Sequence, residues 1–426
     1  MEKVENILAD LVRIQTVNPP GGETKVAKYL KHLFDRYGIQ NEIIEPSPGR
    51  GSFLAYLGEG EKRLLYLSHT DVVVAKEDWS FPPFSGEIRD GFVFGRGAID
   101  NKGLVAAETC ALVKLSQEVD LKGRLIFVAA ADEETLGPLG IDYLIKNYWD
   151  RIGADFAINE GGEAPVKVGD TTCHFIAVGE KGPVWAKLRT KGASAHGALP
   201  MLGNNAILTM AEIIRKISNY KPRVVLIPEA KKLVQALAKL TDFSVKINEC
   251  NIDSFISKLE NRNLAAYLTA ITRMTVSPNV IHGGVKTNVV PDSCEADVDI
   301  RILPGQDKDY VVNELGRVLD ASEIEITQYT SPTISASNTE FYSLISSTMQ
   351  EFVGNDLILP SINAGATDSR LLRKVGIPNY GIANIPLNLD PSLRKSVHGK
   401  DERIDIDSLK MRTDFLVSLA KRYLGC

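Results

Sequence analysis

Leu64-Leu65-Tyr66-Leu67-Ser68-His69-Thr70-Asp71 is an apolar run that ends in two chemically able side chains. Its length and its polar boundary suit a buried strand. Residues two apart on a strand share a face, so His69 and Asp71 emerge together at the C-terminal end, a candidate ligand and the carboxylate that orients it. In open α/β sheets ligands bind in the crevice beyond the strand C-termini. Two further runs converge there. Arg124 to Ala131 leads into Asp132, Glu133 and Glu134, and Ala154 to Asn159 delivers Glu160 ahead of two glycines that permit a sharp turn. Between the first two lies the glycine-rich turn Gly95-Arg96-Gly97-Ala98-Ile99-Asp100, which opens a helix over Leu104 to Leu115. His69, Asp100, Glu134 and Glu160 are nitrogen and carboxylate-oxygen donors with no thiolate among them. That set points to Zn, Mn or Co in a working site and away from a structural zinc–cysteine site.

Composition bounds the rest. A chain of 426 residues, 44% hydrophobic, has room for two domains, since single cores seldom grow past about 250–300 residues. The net charge of −5 comes without a large basic patch, which argues against nucleic acid as a partner. No apolar run reaches the roughly 18 residues of a membrane span. Met1 to Thr16 reads as an amphipathic helix and not as a signal peptide, which places the protein in the cytoplasm. Five cysteines (Cys110, Cys173, Cys250, Cys294, Cys426), odd in number and without CxxC spacing, are expected to be reduced and buried.

Strands alternating with helices through residue 160 predict an α/β fold, a mostly parallel twisted sheet with helices on both faces. The pattern then changes to longer strands with helices held apart. His174 to Lys191 reads as a strand pair around Gly182-Pro183, followed by a helix over Asn204 to Ile217, strands over Met274 to Ile281 and Cys294 to Ile302, and a strand over Glu323 to Gln328. Lys221 to Arg273 is a helix-rich elaboration. The expected organisation is a first domain over 1–175 that resumes at 331–426, with an inserted α+β domain over 176–330.

Ser68-His69-Thr70-Asp71-Val72-Val73, Gly95 to Asp100, Asp132-Glu133-Glu134, Asn159-Glu160-Gly161, Lys191-Gly192-Ala193-Ser194-Ala195-His196 and the segment His398 to Glu402 form a series in order along nearly the whole chain. The series resembles the cocatalytic metallopeptidase family of acetylornithine deacetylase, succinyl-diaminopimelate desuccinylase, aminoacylase and the glutamate and dipeptide carboxypeptidases. Ser68 stands where that family usually has glycine, and no ligand position is lost. The resemblance implies a zinc-exopeptidase-like fold carrying a lid and dimerisation domain, a homodimer through that insert, and two divalent metal ions, zinc first with cobalt or manganese as alternatives. It implies that Asp100 bridges the ions, that His69 and Glu160 complete one ligand set and Glu134 and His398 the other, and that the Asp100–Asn101 peptide is cis. Asp71 would orient His69, and Glu133 would be the general base for a metal-bridging hydroxide that cleaves an amide bond. His196 would polarise the scissile carbonyl, often from the partner of a dimer. Arg370, beside Asp368, would hold a substrate carboxylate together with Asn288 or Arg301. The implied substrate is a small peptide or N-acyl amino acid with a free carboxylate. The alternatives are a specific biosynthetic deacylase, of acetylornithine or succinyl-diaminopimelate, and a catalytically inactive scaffold that binds amino-acid derivatives.

Overall fold

The computed structural model describes residues 2–76, 78–241, 243, 245–319, 324–383 and 392–425. The backbone divides into two compact units, Met1–Val178 with Ser335–Ser361 and Thr367–Cys426, and Gly179–Ile334 with Ile362–Ala366.

Four parallel strands form the centre of the first unit, in the order Arg124–Ala130, Arg63–His69, Phe156–Asn159 and Asn379–Ile382. Antiparallel strands flank them. Ser52–Leu57 and then Gln40–Ile44 extend one side, and Thr171–Glu180 joins the other. Parallel pairing is thus confined to the middle of the sheet, where the strand ends carry the candidate ligands. Alternate residues of the central strands enter separate cores. Leu65, Leu67, Ile126 and Val128 cluster with Ile141, Leu144 and Leu372 of helices Ile141–Asn147 and Ser369–Lys374. On the opposite face the Tyr66 hydroxyl donates to the Leu416 carbonyl at 2.5 Å, and Phe127 stacks on Phe34 with ring centroids 6.0 Å apart. Phe156 stacks on Phe341 at 4.6 Å. Burial on both faces is why these strands read as unbroken apolar runs.

The second unit is a four-stranded antiparallel sheet in the order Thr275–Gly283, Ser293–Ile302, Gly182–Lys191, Ile324–Tyr329. Val184, Ala186, Leu188, Val298 and Ile300 pack one face against helices Ala206–Asn219 and Lys308–Leu315. Lys187, Arg189 and Glu295 stand on the other, the alternation of a sheet with one wet side. The Lys221–Arg273 elaboration supplies helices Pro228–Lys239, Ile252–Ser257 and Arg262–Ile271.

Two expectations change. Thr171–Glu180 and Gly182–Lys191 do not form a strand pair, because the first hydrogen-bonds to Asn379–Ile382 and the second to Ser293–Ile302 and Ile324–Tyr329. A local apolar pattern specifies a strand but not its partner. Cys110, Cys173 and Cys294 are free and buried, whereas Cys250 is free and exposed. Glu323 and Cys426 lie outside the described residues. No helix among the described residues is long and apolar enough to cross a membrane.

Ile126 is fully buried in the half of its strand away from the candidate ligands. Ile126→Ala is expected to lower stability by about 2–5 kcal/mol, the usual cost of an Ile-to-Ala cavity, in urea unfolding followed by circular dichroism. A change below about 1 kcal/mol would mean that the sheet core is loosely packed there.

Candidate metal centre

His69 closes its strand with Nδ1 3.1 Å from the carbonyl of Asp71 and 3.3 Å from its Oδ1. A carbonyl only accepts, so Nδ1 carries the proton and Nε2 is left to face the cluster. The Asp71 carboxylate also accepts from the backbone N–H groups of Glu133 (3.1 Å) and Glu134 (3.0 Å) and from Asn18 Nδ2 (2.9 Å). It therefore sets the turn that carries both glutamates. Asp132 begins that turn with φ 71°, and its carboxylate accepts from Leu139 N–H at 2.9 Å, Asn18 Nδ2 at 3.1 Å and Arg50 at 2.5 Å. Glu160 follows Phe156–Asn159, and the chain turns away through Gly161 (φ 120°) and Gly162 (φ 79°), a backbone path that disfavours side chains.

The two oxygens of Asp100 face different histidines. Oδ1 lies 3.0 Å from His69 Nε2, and Oδ2 lies 3.0 Å from His398 Nε2. Glu160 stands on the His69 side, 3.5 Å from Nε2, and Glu134 on the His398 side, 3.4 Å from Nε2. Glu133 reaches within 4.0 Å of His69 Nε2. The peptide between Asp100 and Asn101 is cis.

The electrostatics of this cluster call for positive charge. Burial alone would lower the His69 imidazolium, but Glu160, Asp100 and Asp71 outweigh it and hold the group well above its ordinary range. Hydrogen bonds to Asp100 and Glu134 push His398 up to about 10. Burial, helped by Asp100, pushes the Glu160 carboxyl up to about 8, and burial, opposed by His69 and reinforced by Glu160 and Asp368, raises Glu133 well above its usual range. Donor atoms of His69, Asp100 and Glu134, and of His69, Glu133 and Glu160, lie within 4.8 Å of one another. Oε1 of Glu134 is buried without a hydrogen-bond partner among the described residues. Carboxylates and imidazoles crowded this closely, with an unsatisfied oxygen among them, fit divalent cations of the zinc, cobalt or manganese type.

Glu402, to which the sequence assigns no role, proves central. Its buried carboxylate accepts from the backbone N–H groups of Gly97 (3.0 Å), Ile99 (2.8 Å) and Asp100 (3.0 Å) and from Arg96 Nη1 (2.7 Å). Arg96 Nη2 in turn donates to the Gly399 carbonyl at 2.6 Å. This clasp joins the loop that presents Asp100 to the loop that presents His398. The available signal was an arginine and a glutamate of opposite charge flanking two candidate ligands.

The other expected site residues lie as follows. Asp368 is buried 3.9 Å from Arg370. Arg370 is only 2% exposed, and its guanidinium donates to the carbonyls of Thr367 (2.5 Å) and Leu136 (2.6 Å), so it ties two loops together and does not present an open fork. In the second unit His196 is exposed and Asn288 stands beside it, the Gly197 N–H donating to the Asn288 carbonyl at 2.8 Å. Arg301 is paired in a fork with Asp299 of its own strand, at 2.7 and 2.9 Å.

The family model for peptidase family M20/M25/M40 matches residues 65–422. This chain belongs to that family. It is a metal-dependent hydrolase of amide bonds. A probable succinyl-diaminopimelate desuccinylase of Staphylococcus aureus is 27% identical over 438 residues, covering 99% of this chain and 98% of the relative. Among solved structures, an M20 family metallo-carboxypeptidase from Sulfolobus solfataricus superposes with a TM-score of 0.75 at 21% identity, covering 100% of both chains. A dinuclear metal-binding peptidase of the family from Bacillus subtilis superposes with a TM-score of 0.63 at 15% identity, covering 99% of this chain and 97% of that one.

If the clasp positions the ligands, Glu402→Gln should weaken zinc binding by about 10–100-fold in calorimetric titration of the chelated protein, the usual weight of a group that orients a ligand. Unchanged affinity would show that the Asp100 and His398 loops hold their places without it.

Proposed function

We propose that this M20-family hydrolase cleaves an amide bond of a short peptide or an N-acyl amino acid bearing a free carboxylate. The carrying observation is that the two oxygens of Asp100 face two separate donor sets, His69 with Glu160 and His398 with Glu134. These five residues would hold two divalent ions, zinc first. Such ions supply Lewis acidity for the scissile carbonyl and lower the pKa of water towards neutrality.

The remaining work belongs to the chain's own side chains. Asp71 keeps the His69 proton on Nδ1 and holds the Glu133–Glu134 turn in place. Glu133 takes the proton of the attacking water on its carboxylate and passes it to the leaving amine nitrogen. His196 donates to the developing oxyanion from the second unit, with Asn288 beside it, acting across a homodimer formed through that unit. Support for the dimer is the apolar surface at Met201 (77% exposed), Leu202, Leu208, Ile281 and Val285 (95% exposed), together with an edge strand at Thr275–Gly283. Arg370 buttresses the loop after Glu134. Arg301 would have to leave Asp299 to bind a substrate. The name of the S. aureus relative supports the deacylase alternative.

Protein loaded with zinc should carry about two ions per chain by elemental analysis, and chelation should abolish hydrolysis. Glu133→Gln should keep that metal content and lower kcat by about 10²–10⁴-fold. Loss of metal on this substitution would make Glu133 a ligand. For the dimer, mixing inactive His196→Ala chains with inactive Glu133→Gln chains should restore activity, since mixed dimers assemble one intact site. No recovery despite subunit exchange, shown by mass spectrometry, would put His196 to work within its own chain.

A further inference from the structure

A cavity of about 380 Å³ lies beside the metal centre in the first unit. Asp100, Glu160 and His398 contribute to its lining, and much of the rest is apolar, from Leu104, Ile382, Ala383, Leu393, Val397 and Ile404. Arg412, from helix Ile406–Leu424, also lines it, as does Arg403, whose Nη1 donates to the Asp401 carbonyl at 3.2 Å. The Arg412 side chain is 5% exposed. Its Nε donates to the Ala383 carbonyl at 2.6 Å, while Nη1 and Nη2 have no hydrogen-bond or ion-pair partner among the described residues.

Asp405, Glu160 and Glu108 offset the charge of that guanidinium in part, and none of them forms an ion pair with it among the described residues. Asp405 caps its own helix, accepting from the Ser408 N–H at 2.7 Å and hydroxyl at 2.6 Å. One oxygen of buried Glu108 accepts from Ser68 at 2.5 Å, and the other, Oε1, is buried without a hydrogen-bond partner among the described residues. Burial lowers Arg412 to about 10, offset in part by Asp405, Glu160 and Glu108, so it stays charged at neutral pH. Nη1 sits over the first turn of helix Lys102–Glu118, 3.4 Å from where a Cβ on Gly103 would lie. Free backbone N–H groups and the positive end of the helix dipole favour negative charge at such a turn. A buried guanidinium with two open donors calls for acceptor oxygens, and a carboxylate matches its planar fork.

We propose that this cavity receives a substrate group built as a short aliphatic chain ending in a carboxylate, the apolar wall packing the methylenes and Arg412 binding the carboxylate. The inference rests on the amide-hydrolase reading and narrows its substrate class. The same chemistry occurs in two places, the acyl half of a dicarboxylic acid monoamide or the acidic side chain of an N-acyl amino acid.

Zinc-loaded full-length protein is assayed on two matched pairs, N-glutaryl-alanine against N-pentanoyl-alanine and N-acetyl-glutamate against N-acetyl-norvaline. One pair should show a kcat/KM ratio of about tenfold or more in favour of the carboxylate, as a charge-assisted hydrogen bond implies. The pair that does so names the source. Arg412→Met should collapse that ratio towards one, and Arg412→Lys, which keeps the charge and guards against a folding defect, should retain part of it. Calorimetric binding of glutarate against pentanoate needs no turnover. It should favour glutarate in the parent protein and lose that preference in Arg412→Met. Hydrolysis with no preference in either pair, and glutarate binding indifferent to Arg412, would overturn the carboxylate site while leaving the broader reading intact. Glutarate selectivity that depends on Arg412, in a metal-loaded protein that hydrolyses none of the four, would support the site and overturn the proposed N-acyl amino acid substrates.

Discussion

The carboxylate of Asp71 is the point on which the candidate metal centre depends. It is buried, and it serves two loops at once, bracing the His69 ring on one side and accepting the N–H groups of Glu133 and Glu134 on the other. Such a carboxylate keeps its charge only when hydrogen bonds replace the water it has lost. Those bonds hold it below its ordinary range against burial, with His69 and Asn18 contributing. Asp71 thereby fixes the tautomer of a candidate ligand through its carbonyl and the aim of a candidate base through its carboxylate.

Around Asp71 the protein concentrates negative charge to a degree that a folded core normally avoids. Glu402 spends its charge on three backbone N–H groups and Arg96, so it acts as a structural anion. Asp132 likewise spends its charge on Asn18, Arg50 and the Leu139 N–H. Asp100, Glu134 and Glu160 face the two histidines instead. This division explains why adjacent acids such as Asp132, Glu133 and Glu134 differ in role. The backbone of the turn sends the first into the protein and the others towards the cluster.

The second unit is organised by a simpler constraint. Its sheet buries one face against two helices and leaves the other wet, so its strands alternate in polarity where those of the first unit do not. The exposed side chains of Leu199, Met201, Leu202, Leu208 and Val285 depart from that economy.

Much of the centre was legible from the chain alone. A strand period of two, applied to Leu64–Asp71, puts His69 beside Asp71 whatever the rest of the fold does. Apolar runs that stop at Glu134 and Glu160 mark strand ends for the same reason, and residue chemistry alone excludes a thiolate site. Tertiary structure decided what depends on segments far apart in sequence. Glu402 reaches back roughly 300 residues to hold the Asp100 loop, a pairing that neither local sequence specifies by itself. Arg370 looks like an open carboxylate clamp until packing commits it to the carbonyls of Thr367 and Leu136. Arg412 looks like an ordinary helix-surface arginine until burial leaves its two outer nitrogens at a cavity wall. Side-chain type and local period are properties of the chain, but which charge is satisfied, and by what, is set only when distant segments meet and exclude water.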